Sequence, residues 1–384
     1  MPSRAAGVPA EMSFGEMNLR VFRGKPLPHV LFQPRFEPWY AWHQTFGGLP
    51  ERYQGVSVRD VYDEVGCSMR YVHYYTGMPS PVVSSPSPEV EIHEQEKGAL
   101  RVCVYVTPYG ELVETHRHTV DDTWRKVGFP VRRPDQLRAL RWLCEHTHYA
   151  FSAEAFQQGS AYVGARGEPQ FYVPKSPYQA LAQLWMRLED LIYALADAPA
   201  EVEATMTAID AAYDPLYEGI VSSGEVRIVN FGENIHEQLL SPRYLERYLL
   251  PFWEKRAGQL HGAGIYSHVH IDGSFRSLLP FLRHLPFDGL EALTPAPQGD
   301  VTLYELSEQI GAKILLDGIP AVLFMPPYSR DELMHTLERL VALFSPRLIV
   351  GISDELPEGA DMEGLERVRL VADWCRSHAY ARED

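Results

Sequence analysis

The chain has 384 residues, a formal net charge of −16, and a globular composition with 45% hydrophobic and 22% charged residues. This length allows one large α/β domain, while the acidic charge argues against nucleic acid and anionic membranes, which recruit clustered Lys and Arg. Four widely spaced cysteines without a Cys-x-x-Cys pair argue against a disulfide scaffold. We find no signal-peptide pattern and no apolar stretch long enough for a membrane span, so we expect a cytoplasmic protein.

The first part of the chain combines a polar start with a short apolar run. Residues 1–27 are predicted to form an N-terminal arm with one short helix around Phe14–Phe22. The apolar run 28–35 ends in polar residues, which is typical of a buried strand whose end opens on a site. The aromatic segment 36–53 forms either a packed loop or a wall that contacts a ligand. In the second case the substrate contacts would be Arg35, Trp39 and Tyr40.

Residues 88–120 alternate apolar and polar side chains with a period of two, which predicts strands. Lys97-Gly98 and Tyr109-Gly110 supply the turns between them. We interpret this segment as a β-meander inserted outside the main fold. His116 and His118 are two residues apart, and this spacing is more typical of a solvated strand face than of a metal pair.

From about residue 134 the pattern becomes mainly helical. A helix is predicted at 134–145 and a short strand at 161–164. Ser176-Pro177 supplies the N-cap and first residue of a long helix with an apolar stripe. Pro199 ends that helix and begins another, which runs to about Val221.

The second half of the chain repeats a strand–helix unit five times, starting with a strand at 226–231 and ending with a helix at 362–378. Apolar strands that alternate with amphipathic helices predict a parallel sheet with helices outside. Candidate strands near 29–33, 69–74 and 161–164 bring the total to eight. We therefore predict an α/β fold, a (β/α)8 TIM barrel spanning 28–384. A doubly wound open sheet is the alternative, weakened because no glycine-rich phosphate loop follows the first strand.

One strand end, residues 266–273, carries an alternating set of metal-ligand side chains. His268, His270 and Asp272 lie two residues apart, so a strand would project all three from one face. Imidazole nitrogen and carboxylate oxygen are ligands of Zn²⁺ and similar ions. The alternative is an ordinary solvated strand face.

Other strand ends add carboxylates to the same predicted mouth of the barrel, where the active sites of such folds lie. The added polar residues are Glu233, Asn234, Glu291, Asp317 and Asp354. Clustered carboxylates repel one another unless a cation or shared protons neutralise them. A metal held by His and carboxylate ligands is the simpler solution, and an acid cluster without metal is the alternative.

Several short motifs occur in a characteristic order in the second half of the chain. They are Asn230-Phe231-Gly232-Glu233-Asn234, Ser241-Pro242, His270-Ile271-Asp272-Gly273, Asp288-Gly289-Leu290-Glu291, Gly299-Asp300-Val301-Thr302-Leu303, Asp317-Gly318-Ile319-Pro320 and Gly351-Ile352-Ser353. In order and spacing, this set resembles the uroporphyrinogen decarboxylase superfamily. The resemblance covers about residues 200–378 and is weak in the N-terminal half. It implies one of two branches: true decarboxylases, or zinc methyltransferases that work with corrinoid proteins.

The decarboxylase branch carries an arginine-rich first strand and a Gly-His-Gly turn near the C-terminus. This chain has only Gln33-Pro34-Arg35 at the first strand and Gly351-Ile352-Ser353 at the later turn. A porphyrinogen with eight carboxylates would also require a basic pocket. The resemblance therefore favours the methyltransferase branch.

The methyltransferases carry a His-x-Cys-Gly zinc motif and a second Cys near the last strand. The motif that begins at His270 has Asp272 in place of the first Cys, and the second position falls near Asp354. Without thiolates, an oxygen-rich site is expected to activate an ether, alcohol or amine rather than a thiol. His268 would be a ligand or would orient one.

The sequence and the resemblance together predict a metal-dependent methyltransferase that passes a methyl group from a small methylated O- or N-substrate to a corrinoid protein. Zn²⁺ or another divalent ion is the expected cofactor, and a homodimer is left open. A metal-free decarboxylase or lyase acting on a tetrapyrrole and a non-catalytic binding barrel are the alternatives. The predicted catalytic residues are Glu233, His270, Asp272, Glu291 and Asp317. The predicted metal ligands are Glu233, His268, His270, Asp272 and Asp354, and the predicted substrate contacts are Arg35, Trp39, Tyr40 and Asn234.

Overall fold

A computed structural model of the chain describes residues 12–120 and 122–380. Its strands are β1 (Val82–Pro86), β2 (Glu91–Lys97), β3 (Leu100–Thr107), β4 (Gly110–His118), β5 (Trp124–Gly128), β6 (Thr147–Phe151), β7 (Tyr172–Val173), β8 (Ile228–Ile235), β9 (Tyr266–Ile271), β10 (Gly289–Glu291), β11 (Ile314–Pro320) and β12 (Leu348–Ser353). Its α-helices are α1 (Phe14–Phe22), α2 (Glu37–Phe46), α3 (Val58–Val65), α4 (Leu137–Glu145), α5 (Ala153–Val163), α6 (Pro177–Ala180), α7 (Leu188–Asp197), α8 (Pro199–Ala212), α9 (Asp214–Ser223), α10 (Pro242–Tyr244), α11 (Leu250–Gly262), α12 (Leu303–Gln309), α13 (Arg330–Phe344) and α14 (Met362–Ser377). Shorter 3₁₀ or π turns lie at Glu51–Tyr53, Pro134–Gln136, Gly164–Arg166, Leu181–Trp185, Leu245–Leu249, Arg276–His284 and Ala321–Phe324.

Strands β7 to β12 form a parallel sheet in which each strand pairs with the next along the chain. Strands β9 to β12 are almost entirely buried, as expected for a parallel sheet covered on both faces. The helices between the strands carry ordinary start signals. Ser329 and Glu332, for example, form the predicted capping box at the start of α13. The strands of the five predicted strand–helix units are therefore confirmed as members of one parallel sheet.

Two short extended segments connect the outer strands of this sheet. Residue 31 accepts a hydrogen bond at 2.9 Å from the Val350 amide of β12, and the Gln33 amide donates to the Val350 carbonyl at 2.7 Å. The Ser68 amide then donates to the carbonyl of Phe32 at 2.9 Å. The Val72 amide donates at 2.9 Å to residue 170, just before β7. Segment 31–33 thus pairs with β12. Segment 68–72 pairs with segment 31–33 on one side and with residue 170, just before β7, on the other.

Helix α1, predicted within the N-terminal arm, packs against the start of the sheet. Its side chains Met17, Leu19, Val21 and Phe22 are buried. They join an apolar cluster that contains residues from four strand segments, namely Leu31, Ile228, Ile314, Leu316 and Ile349. This cluster fills the end of the sheet opposite the polar strand ends.

Three local predictions were wrong. Residues 161–164 end α5 and its turn, and the strand lies later at β7. A short apolar run does not distinguish helix from strand by its period alone. Here Ser152 caps α5, which continues to Val163. The long helix predicted from Ser176 is broken at Met186, whose extended backbone bridges to Val131. The predicted helix after β9 is a 3₁₀ turn with Pro280 inside it, because proline removes a helix donor.

Strands β2 to β5 form a separate antiparallel sheet, and β1 pairs with β6. The three strands predicted at 88–120 are present as β2, β3 and β4, and β5 extends the meander by one strand. Leu112 of β4 is fully buried beneath this sheet, and the ring of Tyr105 lies 6.3 Å from that of Trp185. Within residues 12–120 and 122–380, no helix has the length and apolar character needed to cross a bilayer.

Candidate metal centre

Three of the predicted metal ligands meet at the carboxyl ends of the strands. His270 lies in β9, Asp272 follows that strand, and Asp354 follows β12. One ligand atom from each lies within 4.8 Å of the other two. Ligand atoms around a tetrahedral Zn²⁺ are separated by roughly 3.4 Å, so small rotations of the two half-exposed carboxylates would complete the set. One imidazole and two carboxylates suit Zn²⁺ or a harder divalent ion.

His270 is oriented from behind by Glu291. The Nδ1 atom of His270 lies 3.2 Å from Oε2 of Glu291, and Nε2 lies 3.6 Å from Oδ1 of Asp354. A carboxylate at one imidazole nitrogen holds the proton there and leaves the other nitrogen free to bind a metal. The structure therefore presents Nε2 of His270 to Asp354.

Glu291 and Asp317 belong to a buried ion network rather than to the cavity surface. Arg70 lies between them, with Nη1 at 2.5 Å from Oε1 of Glu291 and Nη2 at 2.7 Å from Oδ1 of Asp317. Tyr71 donates a further hydrogen bond to Glu291 at 2.5 Å, and Asn230 donates another. All three ionic side chains are fully buried, so the network supports His270 from inside the sheet.

The electrostatics of this network depend on Arg70. Burial by itself would raise the pKa of Glu291, but Arg70 and Arg35 together hold it well below its usual range. For Asp317, burial outweighs the attraction of Arg70, so its pKa is raised. The two carboxylates share one guanidinium, and the carboxyl group that supports His270 is the one whose pKa is lowered. Arg70 was not predicted as a site residue, although it lies in the candidate strand 69–74.

A cavity of about 450 Å³ opens next to His270 and Asp354. It is lined by Arg35, Tyr74, Tyr149, Tyr172, Val173, Pro174, Lys175, Leu184, Tyr213, Gly232, Asn234, His270 and Asp354. Four tyrosines and several apolar side chains make most of this wall aromatic, and the charged groups gather at the strand ends. This combination is typical of a small-molecule site.

Two cations face the acidic end of the cavity. Arg35 forms an ion pair with the carboxylate of Asp354, and its Nη1 donates to the hydroxyl of Tyr172 at 2.7 Å. The Nζ atom of Lys175 donates to the carbonyl of Gly232 at 2.6 Å. Burial lowers the pKa of Lys175, against the opposing charges of Glu233 and Asp272. Of the predicted substrate contacts, Arg35 and Asn234 both line the cavity.

Glu233 lies away from the metal centre, contrary to its predicted role as a ligand. Its carboxylate accepts hydrogen bonds from the amide and hydroxyl of Ser176 at 2.9 and 2.8 Å. A third bond comes from Nε1 of Trp253 at 2.8 Å. Burial raises the pKa of Glu233. The strand is irregular here, with a register shift between Phe231 and Ile235. Glu233 ties it to the surrounding helices, while Asn234 lines the cavity.

Trp39 and Tyr40 do not form the predicted substrate wall. Trp39 is fully buried and donates through Nε1 to the carbonyl of Ala360 at 2.6 Å, and the Tyr40 hydroxyl donates to the carbonyl of Val56. Both anchor α2 in the core, as the packed-loop alternative required. The observed wall uses tyrosines from other segments. One of them, Tyr74, lies in the tyrosine-rich segment 71–75, which was the sequence signal available for it.

His268 is fully buried below the metal centre, and its Nε2 lies 2.7 Å from Oε1 of Gln170. It therefore supports the strand and does not join the ligand set. Burial lowers the pKa of His268 to about 3, partly opposed by Glu291.

The neutral state of His268 predicts a loss of stability in acid. The unfolded chain takes up the proton first as pH falls below about 6.5, so the contribution is complete above that pH and declines below it. Between about pH 6.5 and pH 4.5, the protein should lose roughly 2–3 kcal/mol more free energy of unfolding than the variant His268→Gln. Urea unfolding at both pH values measures this difference. Equal losses in the two proteins would contradict it.

No protein-family model and no curated protein sequence matches this chain. Its fold is similar to that of a methyltransferase from Methanosarcina mazei, with a TM-score of 0.58 and 12% identity over 95% of this chain and 99% of that chain. B12-independent methionine synthases from Shewanella sp. W3-18-1 and Listeria monocytogenes give TM-scores of 0.44 and 0.41 at 13% and 11% identity. They cover 84% and 91% of this chain, and the matches span 86% and 96% of theirs. At these identities the likeness concerns the fold alone.

Proposed function

We propose that this protein is a metal-dependent methyltransferase of the uroporphyrinogen decarboxylase superfamily, of the O-demethylase type. The observation that carries the proposal is the meeting of His270, Asp272 and Asp354 beside a cavity of substrate size. The Methanosarcina methyltransferase that shares the fold over nearly the whole chain adds support. In this proposal a methylated ether or amine is the substrate and a separate corrinoid protein accepts the methyl group.

The proposal includes a closed (β/α)8 barrel. The six strands of the parallel sheet and the extended segments 31–33 and 68–72 make eight, and hydrogen bonds join each segment to its neighbours. In a closed barrel the carboxyl ends of all eight strands form one rim, where catalytic residues from different strands meet. His270, Asp354 and Arg35 come from three different strand ends, as such a rim requires.

The chain's own side chains divide the work in this proposal. His270, Asp272 and Asp354 would hold Zn²⁺ or another divalent ion, which when bound supplies a Lewis acid for the heteroatom that carries the methyl group. Glu291 fixes the orientation of His270, and the tyrosine wall excludes water and packs against the substrate. Arg35 pairs with Oδ1 of Asp354, the oxygen that also lies 3.6 Å from Nε2 of His270, and so fixes this carboxylate beside the imidazole.

Metal titration tests the ligand set. Protein stripped by a chelator should bind one Zn²⁺ per chain in calorimetry, and His270→Ala should weaken binding by more than about 100-fold, beyond the loss typical of supporting residues. His116→Ala, on the antiparallel sheet, is the matched control and should bind like the native protein. Binding that is absent, or that survives in His270→Ala, would refute the metal centre.

Methyl transfer itself is tested with cob(I)alamin and a panel of methyl ethers and methylated amines. Formation of methylcobalamin, followed by its absorbance, should require the bound metal and be lost in His270→Ala. A metal-loaded protein that transfers a methyl group to cob(I)alamin from no compound in the panel would favour a non-catalytic binding barrel.

A second candidate is a metal-free lyase or decarboxylase. It is favoured by the ion pair between Arg35 and Asp354, which neutralises one carboxylate of the triad without a metal, and by the cationic Lys175 beside Asp272. Those cations would then bind a carboxylated substrate. This candidate predicts full activity in the presence of a chelator, which is the opposite of the metal-dependent proposal.

A further inference from the structure

The outer face of the antiparallel sheet β2–β5 carries a central group of valines between two rows of opposite charge. Alternate residues of each strand point outward, and Leu112 and Tyr105 mark the inner side, which packs against the rest of the molecule. On the outer side, Val113, Leu100 and Val127 are 37%, 39% and 40% exposed. Val102 and Val104 are half-buried, and Val104 pairs directly with Val113. The two central rows also contain His93, Gln95 and Thr115.

The strand register arranges the charges at the two ends of this face. One row across the sheet contains Lys97, Leu100, Arg117 and Arg125. Another row, six residues further along β3, contains Glu91, Val106 and Glu111. Six residues of a strand span about 20 Å, so the basic and acidic rows lie at opposite ends of the face.

We propose that this outer face is a homodimer interface, with a second copy of the same chain as its occupant. In a two-fold arrangement the same patch meets itself, so each basic row needs an acidic row as its partner. A two-fold axis that lies in the interface plane, runs across the strands and passes between Val102 and Val104 places the row of Arg117 over the row of Glu111 of the second copy. The valines of both copies then pack in the centre, about 10 Å between sheets.

The size of the face predicts a weak dimer. Four strands spaced about 4.8 Å apart and about 20 Å long present roughly 400 Å² per copy, which is half of a standard interface. We therefore expect association in the micromolar range that depends on salt, because paired charges at the rim are screened. The inference is independent of the proposed chemistry, since the face lies on the antiparallel sheet and not on the cavity wall.

Sedimentation equilibrium of the full chain, across roughly 5 to 200 µM, tests the proposal. The native protein should dimerise, and Lys97→Glu with Arg117→Glu should weaken the dimer at least about tenfold. Glu91→Lys with Glu111→Lys should do the same. Combining all four substitutions restores opposite charges and should bring the dissociation constant back to within about threefold of the native value.

The controls separate a specific interface from general charge effects. Arg339→Glu, on an exposed position of α13, should leave the dissociation constant unchanged. Equal circular dichroism and unfolding temperatures for all variants would show that these exposed substitutions leave the fold intact. A native protein that remains monomeric at the highest concentration would overturn the proposal. A dimer that ignores both charge reversals would also overturn it, because its interface would lie elsewhere.

Discussion

Replacing Arg70 with methionine is expected to lower the free energy of unfolding by about 3–5 kcal/mol, the usual cost of removing one partner from a buried ion pair. Glu291 and Asp317 would both lose their guanidinium while remaining fully buried. Urea unfolding of the two proteins at neutral pH measures the difference. The effect is large because the new methionine side chain cannot donate a hydrogen bond to either carboxylate.

The pH dependence of this loss identifies its cause. Without Arg70, the pKa of both carboxyl groups should rise, because burial then acts against less opposing positive charge. The penalty is then complete at neutral pH and shrinks as pH falls through those raised values, since protonation removes the buried charge. A variant whose deficit stays constant down to about pH 4 would contradict the charge argument.

A surface pair provides the matched control for Arg70. Arg330 lies 2.6 Å from Glu363, and its side chain is half-exposed. Arg330→Met should therefore lower the free energy of unfolding far less than Arg70→Met does, because water screens the pair in the native protein. Similar losses for the two methionine variants would mean that the buried network contributes no more than a surface contact.

Replacing Asp272 with cysteine is expected to change the metal preference of the centre. A thiolate beside His270 favours soft ions, whereas the native carboxylate accepts harder ions such as Mn²⁺. The ratio of Cd²⁺ to Mn²⁺ affinity should rise by at least about tenfold, which corresponds to about 1.4 kcal/mol. Competition titrations of both proteins give this ratio.

Two further variants define what the cysteine does. Asp272→Asn keeps the size but removes the charge, and it should weaken both metals without changing their ratio much. Cys103→Ser, on the antiparallel sheet, controls for metal binding by a native thiol. An unchanged affinity ratio in Asp272→Cys would show that residue 272 does not touch the ion, and would leave only His270 and Asp354 as candidates.

The sequence predicted the second half of the fold well because its signals are local. Apolar strands, amphipathic helices and caps such as Ser329 with Glu332 each act within a few residues. The prediction of a strand at 161–164 was wrong for the same reason, because it used only local signals. The apolar residues of this segment suit either structure, and the helix cap at Ser152 decided the outcome. The short extended segments 31–33 and 68–72 depend on partners from distant parts of the chain.

The candidate site shows the same division. His270, Asp272 and Asp354 were predicted because imidazole and carboxylate side chains at strand ends are recognisable as ligand types. Glu233 has the same chemistry but faces the helices, where Ser176 and Trp253 satisfy it. The register shift between Phe231 and Ile235 accompanies this placement, with Asn234 on the cavity wall, and residue type alone does not encode such a shift.

By itself, the sequence determined which imidazole and carboxylate side chains lie at the strand ends as candidate ligands. It also determined the parallel α/β architecture and the antiparallel meander at 88–120. Only the tertiary structure decided that Arg70 supports Glu291, that Glu291 orients His270, and that tyrosines from distant segments replace Trp39 and Tyr40 as the cavity wall. The physical reason is that strand pairing and burial are non-local. A charged side chain becomes part of a network only when the folded chain removes it from water and brings its partner within hydrogen-bond distance.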